Sequence, residues 1–290
     1  MKKFRKLLPA LSMLLISALL MGSSTFAWFS MNTTVSATGM KVQATTSKNL
    51  VISTDKTLKN NENTSISSVQ ANPLYLRPVS TGSVGGETVS FFKNTSGVNI
   101  DYTTGSKKEG ATFEAATVTD VTSSTTSSPT TVFDVVKYTF YIRADMPADS
   151  SDASKFSKLV VSSIQFNGST SKNISKSLRV GVRCLTGETT VGGGLIFAPV
   201  TGHSTSYKAI AKAGTVSSTD TLETTDNVVI STAQSIADGN DSNLLGSSKL
   251  GSEYVTVEIY VWYEGQDAAC TSANSIDSEG LDLIISFEAN

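Results

Sequence analysis

The chain has 290 residues, with 23 Lys and Arg against 25 Asp and Glu, a net charge of −2 and two cysteines. Beyond its first six residues, a charge set this sparse and slightly acidic lacks the clustered Lys and Arg that nucleic acid or anionic lipid require, and no basic patch is visible there. Ser and Thr are abundant, Val, Ile, Tyr and Phe recur in short alternating runs, and long helical periodicity is absent; this is the usage of an extracellular β protein rich in turns.

The first element is a leader. Lys2, Lys3, Arg5 and Lys6 form a basic head, Leu7 to Met21 an apolar run, and Gly22 to Ala27 a small-residue exit. That three-part order is a secretion signal cleaved between Ala27 and Trp28 by a signal peptidase. An uncleaved anchor is the other reading. The run of about 15 residues is short of the ~20 that a spanning helix needs, and Pro9 lies inside it. The exit region holds no cysteine, which excludes lipoprotein processing. Cleavage removes four basic residues and leaves 19 against 25 acidic ones, a net charge of −6. The expected location is outside the cell, in the matrix or on the surface, with no membrane attachment after cleavage.

Residues 28–38 follow with no linker. Phe29, Met31, Val35 and Ala37 are apolar on alternate positions, so the new N-terminus reads as an extended arm that is sticky on one face. Such an arm suits donation to another subunit's sheet; its other reading is the first strand of its own sheet. The apolar parity shifts between the arm and the next strand, Gly39–Ala44, where Met40, Val42 and Ala44 share a face. A period-2 shift places a bend or hinge at Gly39.

Further strands are expected at Asn49–Ser53, at Leu74–Val79 (an edge or entry segment, since Pro73 and Pro78 lie around Leu-Tyr-Leu-Arg), and weakly at Ser90–Phe92 and Phe113–Thr117. Val118–Thr131 reads as a polar surface loop. Thr131–Arg143 puts Val132, Val136, Tyr138, Phe140 and Ile142 on one parity. Lys158–Phe166 follows. In Lys176–Leu185 the residues Leu178, Val180, Val182 and Cys184 alternate with Arg179, Gly181 and Arg183, which predicts one buried and one wet face. Gly192–Val200 and Thr205–Ile210 are shorter. Tyr254–Glu264 alternates Val255, Val257, Ile259, Val261 and Tyr263 with Thr256, Glu258, Tyr260, Trp262 and Glu264, and Leu281–Ala289 turns Leu281, Leu283, Ile285 and Phe287 inward. About ten strands joined by short loops argue an all-β fold, an antiparallel jelly-roll-type β-sandwich with long polar loops and an extended N-terminal arm, residues 39–290 forming a single domain.

Catalytic patterns are missing. The single histidine, His203, lies in a Thr-Gly-His-Ser-Thr loop, and the chain has no H-E-x-x-H, G-x-S-x-G, P-loop or dinucleotide fingerprint. Glu258 and Glu264 share a strand face six residues apart, so the ~3.3 Å rise per residue separates them by ~20 Å, too far for an acid/base pair. No cofactor and no metal is expected. Asp238 to Asn243 offers oxygens at short spacing but lacks the glycine and glutamate placement of an EF-hand, and reads as an Asx-rich turn rather than a calcium loop. Asp145, Asp149 and Asp152 read as a solvated loop. Cys184 and Cys270, an even pair in an exported chain, are either a disulfide or two separate thiols.

The run Thr25-Phe26-Ala27-Trp28-Phe29, followed by Thr33-Thr34-Val35-Ser36-Ala37-Thr38-Gly39-Met40-Lys41-Val42, resembles the N-terminal signature of the TasA/camelysin family of Gram-positive biofilm-matrix proteins. The resemblance covers residues 20–44. Leu74-Tyr75-Leu76-Arg77-Pro78-Val79-Ser80-Thr81 and Val261-Trp262-Tyr263-Glu264-Gly265-Gln266-Asp267 with Cys270 are similar to segments of large exported clostridial proteins. The family resemblance implies a jelly-roll monomer that polymerises head to tail into fibres by donating its N-terminal strand. Camelysins are also labelled metalloproteases; a chain with one histidine offers no zinc site, and that activity is not carried over. A rival expectation is a monomeric carbohydrate- or host-binding surface module that uses Tyr260 and Trp262 as exposed aromatics.

Overall fold

The computed structural model describes residues 35–37, 41–46, 50–56, 63, 65–69, 74–84, 89–95, 112–122, 132–166, 176–187, 189–200, 214–215, 229–231, 243–265, 267, 270 and 282–290. Among the described residues nineteen strands form four sheets. The small sheet joins β1 (Val35–Ala37), β5 (Leu74–Leu76) and β10 (Val132–Phe133), with β5 in the middle. A four-stranded sheet runs β12 (Leu159–Phe166), β19 (Asp282–Ala289), β2 (Lys41–Thr46), β4 (Ser65–Val69). The eight-stranded sheet is ordered β17 (Val229–Ser231), β15 (Leu195–Ala198), β13 (Leu178–Thr186), β18 (Val255–Tyr263), β11 (Val135–Ala144), β3 (Leu50–Ser53). Within it β14 (Thr189–Thr190) pairs with β13, and β9 (Val118–Asp120) pairs with β11. The last sheet runs β16 (Gly214–Thr215), β8 (Thr112–Ala115), β7 (Ser90–Asn94), β6 (Ser80–Ser83).

The all-β sandwich follows from the alternation. One face of the eight-stranded sheet, including Val136, Tyr138, Phe140 and Ile142 of β11 and Val257, Ile259 and Val261 of β18, packs on Val42, Ala44, Leu283, Ile285 and Phe287 of the four-stranded sheet; all are buried. The long ladders β11–β18 and β13–β18 are antiparallel, as expected. Four strand pairs nonetheless run parallel: β10–β5, β9–β11, β15–β17 and β2–β19. In β2–β19, segments far apart in the sequence lie side by side at the middle of their sheet, joined by a long-range contact rather than a hairpin.

Three expectations need correction. Lys176–Leu185 has no wet face: Leu178 to Leu185 are all buried, because a second apolar layer covers the other side of the central sheet. That layer joins Val84, Phe91 and Val79 to Val135, Ile196, Ala198, Tyr260 and Trp262. Gly181 is the point of closest approach, since a Cβ there would lie 2.9 Å from Val84 Cγ1 and 3.1 Å from Trp262 Cζ3. The stretch expected as a polar loop from Val118 begins instead with β9, whose three residues pair with Val135–Lys137, and Val121 is buried behind it. Leu74–Leu76 is no edge; it is the centre of the small sheet, its prolines lying outside the three paired residues.

The chain leaves the small sheet at Ala37 and enters the four-stranded sheet at Lys41. Gly39, the expected hinge, and Met40 lie outside the described residues.

Candidate functional site

Of the arm positions singled out in the sequence, Val35 and Ala37 are described; Ala27, Trp28, Phe29 and Met31 lie outside the described residues. Val35, Ser36 and Ala37 run antiparallel to Leu76, Tyr75 and Leu74 of the same chain. On the other edge of β5, Tyr75 and Leu76 pair in parallel with Val132 and Phe133, and the Arg77 N–H donates to the Phe133 carbonyl at 2.8 Å. Backbone groups alternate sides along a strand, so Tyr75 and Arg77 address β10 while Leu74, Leu76 and Pro78 address β1.

That alternation sets the length of the seat. The next position facing β1 is Pro78, which has no N–H to give, so a reciprocal ladder pair stops at Leu76. Beyond it the chain is committed elsewhere: the Val79 N–H donates to Tyr263 O at 3.0 Å, and Val79 O accepts the Gly265 N–H at 2.8 Å. Pro73 precedes the strand in the sequence and likewise lacks a donor. Leu76 itself is fully buried in the main core, which fixes the seat to the body.

Asp134 joins this seat to the rest of the molecule. It follows Phe133, is 6% exposed, and accepts from Lys93 Nζ on β7 at 3.2 Å and from the Thr117 N–H at 3.0 Å. Arg77 Nη1 approaches its other oxygen at 3.3 Å. One carboxylate thus ties the small sheet to the sheet that carries β7 and β8. Removing it would leave two cations without a counter-charge. Sequence reasoning passed over Asp134, although it is the one polar break in the parity run from Val132 to Ile142.

Two further polar networks lie in the central sheet, the first running from buried Arg183 and Glu258 out to exposed Asp120. Glu258 accepts from Arg183 Nε at 2.7 Å, from Lys137 Nζ at 3.0 Å and from the Tyr260 hydroxyl; Lys137 also meets Asp120 at 3.2 Å. Burial alone would raise the Glu258 pKa, but the hydrogen bonds from Tyr260, Lys137 and Arg183 outweigh it and hold the carboxyl below its usual 4.5. Burial would likewise lower Lys137, yet its contacts with Glu258 and Asp120 keep it above 10.5. In the second network Glu264, fully buried, accepts from the Thr81 hydroxyl at 2.6 Å, the Thr81 N–H at 3.2 Å and Trp262 Nε1 at 3.2 Å. Close by in sequence, Asp267 pairs with the fully buried Arg179. The two glutamates have separate partners, in keeping with their spacing. All these groups act as internal mortar.

The rival expectation of exposed aromatics is overturned. Tyr260 is 2% exposed and Trp262 0%, because both face the covering layer, where Phe91 meets the Trp262 ring edge-on at 4.9 Å. Of the two readings of the cysteine pair, the structure has the separate thiols: Cys184 and Cys270 are free and buried. Cys184 sits opposite Val257, whereas Cys270 neighbours Ser177, Arg179 and Asp267 at the other end of β13. A separation of about seven residues along the strand is roughly 20 Å, against the ~6 Å a bridge needs. Burial pushes both thiols up to about 12.

Asp238 to Ser242 and His203 lie outside the described residues. Asn243, the last residue of the proposed Asx turn, spends its whole side chain on structure. Its Oδ1 accepts the Leu159 and Leu245 N–H groups, and its Nδ2 donates to Ser157 O and Gly246 O. Asp152, from the acidic loop, is exposed and meets Lys249 and Lys155. Among the described residues no cluster of three His, Cys, Asp or Glu is placed to hold a metal ion, and no helix is long and apolar enough to cross a membrane. Compared with protein families, curated proteins and solved structures, the chain matches none.

Proposed function

We propose that this chain, cleaved after Ala27, is the structural subunit of an extracellular fibre of the biofilm-matrix kind, with a jelly-roll-type body that assembles head to tail by adding its N-terminal arm to a neighbour's sheet. The observation that carries the reading is the way the arm's last residues are held. Val35–Ala37 joins none of the three larger sheets; it lies at the edge of the small one, on a seat three residues long. Beyond Leu76 the next position of the seat that faces β1 is Pro78, which has no N–H to give to a ladder. The alternating apolar residues Phe29 and Met31 lie upstream of that stop, and strand addition to a partner gives such residues a ladder and a groove together. The resemblance of residues 20–44 to the TasA/camelysin signature stands alongside this reading.

The test is electron microscopy and sedimentation of mature protein secreted with its own leader. The expected results are an N-terminus at Trp28, filaments from the full mature chain, and a folded, soluble, non-polymerising product when Trp28–Ala37 is deleted or Phe29 and Met31 are changed to Asp. A truncated chain that fails to fold would instead make the arm an obligatory strand of its own sheet.

A further inference from the structure

We propose that Lys137 and Asp120 condense into an amide, so that their ion pair is the unreacted form of a covalent clamp between β9 and β11. The inference is independent of the fibre reading. The parallel register of these strands sets Lys137 directly opposite Asp120, so both side chains leave the same face of the sheet. Lys137 Nζ lies 3.2 Å from Asp120 Oδ2 and 3.0 Å from Glu258 Oε1, an amine between two carboxylates. The cluster holds two cations and two carboxylates; amide formation removes one of each and leaves Arg183 matched with Glu258. Lys93 and Asp134 lack this arrangement, since the third charge there is Arg77 rather than a second carboxylate.

The two carboxylates are held for different work. Glu258 Oε2 is occupied by Arg183 Nε at 2.7 Å and by the Tyr260 hydroxyl, which leaves Oε1 turned to Lys137. Asp120 Oδ1 accepts the Thr122 N–H at 3.0 Å and the Thr122 hydroxyl at 2.7 Å. That hydroxyl oxygen itself accepts the Thr139 N–H at 2.6 Å, so its own proton is aimed at Asp120. Two donors on Oδ1 polarise the carboxyl carbon and suit the oxyanion of a tetrahedral intermediate. Oδ2, beside Lys137 and 2.8 Å from the Thr139 hydroxyl, is the oxygen placed to leave. One proton of the Lys137 ammonium passes to Oδ2, which gives an amine and a carboxylic acid. The amine attacks Cγ, a second proton moves from nitrogen through Glu258 Oε1 to Oδ2, and the Cγ–Oδ2 bond breaks. The third proton stays on the amide nitrogen, one water leaves, and Glu258 ends as it began. Asp120 opens to solvent, which gives that water an exit. Condensation of free ions in water is unfavourable, but groups fixed in reacting geometry have effective molarities of about 10⁵–10⁸ M, which offset it.

The test is the intact mass of the purified mature chain after incubation at neutral pH, followed by sequencing of its proteolytic peptides. The expected result is a chain lighter by one water than its sequence requires, with a branched peptide joining positions 120 and 137. Lys137→Arg keeps the charge and removes the nucleophile; it is expected to fold by circular dichroism and to keep the full sequence mass. Glu258→Gln should form the link roughly 100-fold or more slowly, the scale on which a positioned base acts. A folded wild-type chain that retains its full mass overturns the proposal, as does a lost water that maps to any other pair. The wild-type mass decides the question even where a variant does not fold. A Glu258→Gln chain that links as fast as wild type overturns the role given to Glu258.

Discussion

Glu258 sits where three donors meet on one face of the central sheet, and its ionisation is the residue-level feature with a measurable pH signature. Because its folded pKa lies below the usual 4.5, the stability it contributes is complete above that value and is lost as pH falls through the folded value. Lys137 has the opposite sign: raised above 10.5, it contributes fully below that pH and loses its effect as pH rises through its folded value. We therefore expect denaturant stability to be flat across neutral pH and to fall on the acid side below about pH 4.5. Glu258→Gln should lower the plateau and flatten that acid slope; an unchanged slope in the variant would show that other carboxylates carry it. Residues of this kind were half legible in the sequence. The positions of Glu258, Arg183 and Arg179 on strands could be read from alternation, but their burial could not, because alternation with charged residues normally marks a solvated face. The second layer on that face includes Phe91 of β7 with Val79 and Val84, which flank β6, and these short segments give only weak strand signals. For the same reason Trp262 and Tyr260 read as surface aromatics when they are core.

At the scale of elements, the molecule is held together by joints between sheets as much as by the sheets themselves. Asp134 is the joint that matters for the candidate site, since it connects β10, the Arg77 end of β5, and Lys93 of β7. Asp134→Ala removes one charged acceptor and leaves two partly buried cations facing each other. We expect a loss of about 2 kcal/mol in chemical denaturation, with Asp134→Asn costing less because it keeps one acceptor. If the joint is only a surface ion pair, the loss will be a few tenths of that. The long strands around this joint were readable: the ends of β12, β18 and β19 fall within a residue of the alternating runs, whereas the run expected over Thr131–Arg143 is broken at Asp134 into β10 and β11. Pairing was less so. Parallel contacts such as β2–β19 bring together segments far apart in the chain, and nothing local in Lys41–Thr46 or Asp282–Ala289 encodes that partner. The two prolines around Leu74–Leu76 were visible, and they mark the limits of a seat rather than an edge.

The whole molecule is a layered β body with one short strand, Val35–Ala37, held at the edge of a small sheet, and we propose that the arm before that strand is lent to a neighbour. The proposed leader and the alternation of Phe29, Met31, Val35 and Ala37 are the sequence features behind that proposal. Its central claim, assembly by strand donation, is tested most directly by adding a synthetic peptide of Trp28–Ala37 to polymerising mature protein and measuring mean polymer length by sedimentation. The account predicts that the peptide occupies receivers, shortening polymers in proportion to its concentration, while a peptide with Phe29 and Met31 changed to Asp has little effect. Polymers whose length is unmoved by saturating wild-type peptide would contradict it.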